Sequence, residues 1–135
     1  MELILIIGLP NAGKTTYSKQ FKNVLHLDDF PWNKFLNCNE AVRLVDDDVV
    51  IDGIYNLRCR RERLLEAVRD KSEKKVCIWV DTPLEECIKR SVFGRSERIV
   101  RDGARMFQPP TYDEGWDEII IVKDGKETLL PRQEV

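Results

Sequence analysis

Short, nearly unbroken apolar runs alternate along the chain with longer stretches in which apolar residues recur at helical spacing. The runs at 3–7, 24–27, 49–51, 76–80 and 119–122 are rich in β-branched residues. Strands covered on both faces by helices read this way, because neither face alternates toward water. Between them, 14–21, 40–45, 60–69, 83–93 and 96–107 carry the amphipathic pattern of helices. Thr82 before Pro83, with Glu85 and Glu86 in the first turn, marks a helix start. This alternation predicts an α/β fold: a five-stranded parallel sheet with right-handed crossovers, sandwiched between helices. The stretch from about Lys123 onward is polar, with a turn expected at Asp124-Gly125 and a proline at Pro131, and reads as loosely packed. No repeat, low-complexity stretch or linker interrupts the pattern, so one domain over residues 1–135 is expected.

Composition narrows the function classes. Apolar residues make up 42% and charged ones 34%, a globular mix rather than a disordered or fibrous one. Twenty-two Lys and Arg against 24 Asp and Glu leave a net charge of −2, which excludes a blanket basic surface but not a local basic patch. No apolar run reaches bilayer length, and the first run follows an acid, Glu2, rather than a basic leader. A cytoplasmic protein is expected. Cys38, Cys59, Cys77 and Cys87 are scattered without a close pair, so buried thiols are expected rather than zinc ligands, most clearly at Cys77 and Cys87.

Gly8-Leu9-Pro10-Asn11-Ala12-Gly13-Lys14-Thr15 matches G-x-x-x-x-G-K-[ST] at every fixed position, after the first strand and at the opening of the first helix. Glycines let such a backbone curl into a nest whose N–H groups converge on phosphate oxygens. Gly8, Pro10, Asn11, Ala12, Gly13, Lys14, Thr15 and Thr16 are therefore the expected nucleotide contacts. Lys14 is assigned to the β- and γ-phosphates, and the Thr15 hydroxyl to Mg²⁺. A chance glycine-rich turn meets this pattern and this context only rarely.

The rest of the chain chooses among phosphate-loop chemistries. Asn33-Lys34-Phe35-Leu36 lacks the acid of a guanine-reading N-K-x-D, and no strand ends in the Asp-Glu pair of motor ATPases. Asp28 and Asp29 follow the second strand, at the sheet edge where ligands of open α/β folds sit. A carboxylate there can take the proton of an attacking hydroxyl, and Asp28 is the expected base; a pair capping a loop is the alternative. Asp52 ends the third strand and is assigned to metal-bound water or to the acceptor. Asp46-Asp47-Asp48 precedes that strand, at the opposite sheet edge, and reads as a solvated turn. Between Lys89 and Arg105 lie six basic residues and two acids, broken by Phe93-Gly94, which reads as a lid hinge. Arg90 and Arg95 flank it and are the expected lid groups over about 87–105; Arg98 and Arg105 read as ordinary surface charge. Arg58, Arg60, Arg61 and Arg63 read as the solvated start of a helix, with contact to acceptor phosphates as the alternative. His26, inside a strand, reads as structural. Trp32, Trp79 and Trp116 share no stacking spacing and read as core or interface residues.

With these pieces in place, the chain resembles the polynucleotide-kinase-like P-loop kinases, a group related to zeta toxins and other small P-loop kinases. The resemblance runs through the loop at 8–15, Leu27-Asp28-Asp29-Phe30, and Val50-Ile51-Asp52-Gly53-Ile54-Tyr55-Asn56. It continues through 80–90, Arg95, Phe107-Gln108-Pro109-Pro110 and Glu114-Gly115-Trp116-Asp117. It implies a three-layer α/β/α P-loop NTPase fold with a helical lid, and an ATP- and Mg²⁺-dependent kinase. The first Asp after strand two (Asp28) would be its base, Arg90 and Arg95 its lid arginines, and Asp52 its strand-three acid. Phe30-Pro31-Trp32 occupies the stretch in which such enzymes often carry an arginine for an acceptor phosphate. The expected acceptor is a hydroxyl, with a 5′-OH polynucleotide end first. A small-molecule kinase for a nucleoside, sugar or antibiotic, and an ATP-binding scaffold with little turnover, are the alternatives.

Overall fold

A computed structural model describes residues 1–132. Its strands are β1 (Glu2–Ile7), β2 (Val24–His26), β3 (Val49–Asp52), β4 (Lys74–Val80), β5 (Glu118–Lys123) and β6 (Lys126–Leu129). The helices are α1 (Lys14–Ser18), α2 (Lys34–Leu44), α3 (Arg58–Val68), α4 (Leu84–Lys89) and α5 (Glu97–Met106). One sheet takes the order β2-β3-β1-β4-β5-β6, with the first five strands parallel and β6 antiparallel to β5. The five expected strands are present. The sixth escaped the sequence reading because Lys126-Glu127-Thr128-Leu129 is exposed along its whole length and carries no apolar run.

Alternate residues of β1 serve opposite layers. Leu3, Leu5 and Ile7 join Cys38, Val42, Leu64, Leu65 and Val68 of α2 and α3 on one face. Ile4 and Ile6 join Ala12 of the loop before α1, and Tyr17, Leu84, Cys87 and Val100 of α1, α4 and α5, on the other. Each fully buried aliphatic side chain in these layers contributes about 1.5–3 kcal/mol, so the two-sided burial is what turns the apolar runs into strands. Cys77 and Cys87 are buried as expected, as is Cys38, while Cys59 is exposed. No helix among the described residues is long and apolar enough to cross a membrane.

One sequence expectation gives way. Helix α2 starts at Lys34, six residues before the helix expected at 40–45, because Phe35, Cys38 and Val42 form one apolar edge against the core. The stretch after Lys123 keeps its side chains exposed through Leu129, while its backbone is hydrogen-bonded beside β5 through Leu130. Asp124 (φ 49°) and Gly125 (φ 75°) form the expected turn. Beyond it, Leu130 N–H donates to Ile119 O at 2.8 Å, and Arg132 Nη2 donates to Asp117 O at 2.9 Å. The last three residues of that tail lie outside the described residues.

Arg61 also departs from its reading as a solvated helix start. Its side chain is fully buried, with Nε 2.7 Å from Glu114 Oε1 and Nη2 2.9 Å from Oε2. Nη1 donates to Tyr55 O at 2.9 Å, and Trp116 Nε1 donates to Glu114 Oε1 at 3.1 Å. A buried ion pair persists only when bidentate geometry and further hydrogen bonds offset desolvation, and both are present. The pair ties α3, which follows β3, to the turn after α5. Arg58 pairs with Glu62 and Asp113, and Arg60 lies 4.3 Å from the Phe35 ring centroid.

Candidate functional site

Parallel strands deliver the loops that follow β1, β2, β3 and β4 to the same edge of the sheet, where they line an open cleft of about 1620 Å³. The loop after β1 is shaped by positive φ at Asn11 (67°) and Gly13 (99°) and by Ala12 N–H donating to Leu9 O at 3.0 Å. Gly8 is a matter of space: a Cβ there would lie 2.7 Å from Val80 O, because β4 ends against the loop. Thr82 ties the two together, its hydroxyl donating to Ala12 O at 2.6 Å. The sequence assigned Thr82 to a helix start, but the N-cap is Pro83 and the hydroxyl serves the loop.

Lys14 is buried, and Nζ donates to Gly8 O at 3.1 Å and Leu9 O at 2.8 Å. Burial lowers its pKa to about 8, against the opposing pull of Asp52 and Asp28. Its hydrogen-bond partners are neutral carbonyls of the loop, so a phosphate oxygen would supply the anion that this desolvated ammonium lacks. The Thr15 hydroxyl donates to Asp52 Oδ2 at 2.8 Å, and His26 Nδ1 lies 3.0 Å from the same oxygen. Register explains this cluster. His26 on β2 and Ile6 on β1 both pair with Asp52 on β3, so the His26 and Asp52 side chains emerge on the same face. A threonine hydroxyl beside a carboxylate 5% exposed is an all-oxygen donor set of the kind Mg²⁺ takes, usually with waters.

Asp28 sits in a 3-10 turn (Leu27–Asp29) directly after β2, with its carboxylate exposed to the cleft. Lys34 Nζ lies 3.5 Å from Oδ1 and Arg95 Nη2 3.4 Å from Oδ2. Lys34 thus brings a cation to this turn although residues 30–32 hold none; the sequence reading weighed Lys34 only as part of a guanine-reading motif. Arg90, in a 3-10 turn after α4, donates from Nη1 to Asn11 O at 3.0 Å. Its Nε lies 3.5 Å from Glu86, an exposed pair worth little by itself.

The cleft therefore gathers loop residues 10–16, Asp28, Asp52, Arg90 and Arg95, together with Asp29. Gly8 lies beneath it, buried against β4. Asp46, Asp47 and Asp48 are exposed at the other end of the sheet, and Asp48 accepts from Glu2 N–H at 2.7 Å. Arg98 is exposed, and Arg105 pairs with Asp102 on the outer face of α5. Trp116 is buried, Trp79 packs on Phe107 at 5.1 Å, and Trp32 is 79% exposed. What the sequence reading missed in the cleft is Lys34, the Asp52 partnership of His26 and a wall made by Asp124 and Gly125. Of these, only the His26–Asp52 contact had a signal, since both residues end neighbouring strands.

Comparison with known proteins agrees with this geometry. The family model described as chromatin associated protein KTI12 matches residues 1–76. No curated protein matches the sequence. Among solved structures, a gluconokinase from Sinorhizobium meliloti 1021 superposes with a TM-score of 0.69 at 13% identity, over 90% of this chain and 81% of that one. The Chaetomium thermophilum Kti12 in complex with ADP-AlF3 superposes with a TM-score of 0.68 at 18% identity, over 89% of this chain and 88% of that one. At such identities the superpositions speak for fold alone, and that fold is the P-loop NTPase fold. The family match spans more than half of the chain, phosphate loop and Asp28 turn included, and the protein belongs to the KTI12 family.

Proposed function

We propose that the protein is an ATP- and Mg²⁺-dependent phosphotransferase with an alcohol acceptor, working as one domain over residues 1–135 in the cytoplasm. The observation that carries this reading is the meeting of Lys14, the Thr15–Asp52 pair and Asp28 along one cleft. Bound Mg·ATP supplies the phosphoryl group and the counter-charge; the protein supplies grip, aim and a proton acceptor. Lys14 and the backbone amides of residues 11–16 hold the donor phosphates, and Thr15 and Asp52 hold the metal. Asp28 orients the acceptor hydroxyl and takes its proton. Arg90 and Arg95 act as lid groups, their permanently charged guanidinium groups offsetting charge on the phosphates. The Lys34–Asp28–Arg95 arrangement favours an acceptor with an anion beside its hydroxyl, and a 5′-OH polynucleotide end is the first such acceptor to test.

A second reading has its own support. Asp28 is already engaged by two cations, Lys34 and Arg95, and the family description names association with chromatin rather than a reaction. On that reading the protein is a nucleotide-dependent binding module with little turnover. Transfer of label from γ-labelled ATP, screened against 5′-OH oligonucleotides and a panel of small hydroxyl compounds, separates the two. Labelled oligonucleotide, with a steep salt dependence, supports the nucleic-acid acceptor. Labelled small molecule moves the acceptor to that class. Absence of transfer across the panel, with ATP-dependent retention of a partner, selects the binding module.

A further inference from the structure

Asn11 does more than shape the phosphate loop. Its side-chain amide turns toward the segment between α4 and α5. Nδ2 donates to Arg95 O at 2.8 Å and to Cys87 O at 3.2 Å, and Oδ1 accepts from Arg95 N–H at 2.8 Å. That uses three of the four hydrogen-bonding positions an asparagine amide offers. The main-chain carbonyl of the same residue accepts from Arg90 Nη1. One loop residue thus engages both lid arginines and the last turns of α4.

Gly94 makes this approach possible. A Cβ at Gly94 would lie 2.3 Å from Asn11 Oδ1 and 2.9 Å from its Cγ. Gly94 has no positive φ, so its missing side chain answers to space and not to backbone conformation. A neighbouring lid contact follows the same plan: a Cβ at Gly103 of α5 would lie 2.9 Å from Pro10 Cδ. The loop residues Pro10 and Asn11 therefore each meet a glycine of the lid.

We propose that Asn11 is a positioning residue that latches the lid backbone to the phosphate loop through the space left by Gly94. Arg90 and Arg95 are then placed by the loop, and reach their targets by side-chain rotation rather than by swinging about Phe93-Gly94. The functional weight of the latch rests on the reading of these two arginines as lid groups; the latch itself does not.

A latch and a hinge differ in the sign of one experiment. Alanine at a hinge glycine restricts the backbone and slows local opening, whereas alanine at Gly94 collides with the Asn11 amide and frees the segment. Backbone amide exchange is measured on the whole chain for wild type, Gly94→Ala and Asn11→Gly. Glycine at position 11 keeps the positive φ while removing the amide. The latch predicts exchange at the Arg95 amide about tenfold faster in both variants, with β1 and β4 unchanged as the control for folding. Slower or unchanged exchange at Arg95, in whichever variant keeps wild-type exchange in β1 and β4, overturns the latch. This readout needs no phosphoryl transfer, so a failed latch and a failed kinase assignment are told apart.

Discussion

Lys14 shows how one residue couples burial to binding. Desolvation lowers its pKa to about 8, so the ligand-free protein loses this charge within the mildly alkaline range. Phosphate binding needs the charged form. Nucleotide affinity is therefore expected to weaken about tenfold between pH 7 and pH 9 as the proton is lost, and Lys14→Met should abolish that dependence, as followed by titration with a fluorescent ADP analogue. The stability effect has the opposite sense. With the folded pKa below the unfolded value, the unfolded chain binds the extra proton between about 8 and 10.5, so the Lys14 contribution to stability rises with pH across that window. The loop itself was legible because its eight residues are contiguous and each fixed position has its own physical reason. The reach of the Asn11 side chain to the lid was not, because its partner lies across space: Arg95 is 84 residues from Asn11.

At the scale of elements, the strands could be read and the helix edges could not. β1, β3, β4 and β5 are buried on both faces and announce themselves as apolar runs, whereas α2 opens through Asn33, Asn37 and Asn39, residues of low helix propensity. Helix α3 makes the same point more sharply. Its basic start looks solvated in the sequence, and nothing local reveals that Arg61 finds Glu114 across 53 residues. Removing one partner of such a pair strands a buried charge. Glu114→Ala is expected to destabilise the fold by about 3–5 kcal/mol in chemical denaturation, and the double replacement Arg61→Met with Glu114→Leu should recover much of that loss. A loss within a few tenths of a kcal/mol for the single variant would mean that the pair does not hold the two segments together.

Across the whole molecule, a parallel sheet collects the business ends of four strands at one edge, and β6 closes the flank that β5 would otherwise expose. Tyr17 of α1 donates its hydroxyl to Glu127 of β6, so the hairpin is tied to the helix that follows the phosphate loop. The P-loop fold followed from alternation and one motif; the wall formed by β6 did not, since an exposed polar strand carries no periodic signal. On the proposed function the two ends of the cleft act together, a loop gripping the donor and a carboxylate activating the acceptor. Asp28→Asn separates them, because it removes the proton acceptor while keeping the shape and leaving Lys14 and Thr15 in place. The direct measurement compares ATP affinity and single-turnover phosphoryl transfer, for wild type and this variant, with whichever hydroxyl acceptor the labelled screen identifies. Affinity within about threefold of wild type and transfer slowed by about 10²–10⁴-fold are expected; transfer at the wild-type rate would contradict Asp28 as the base.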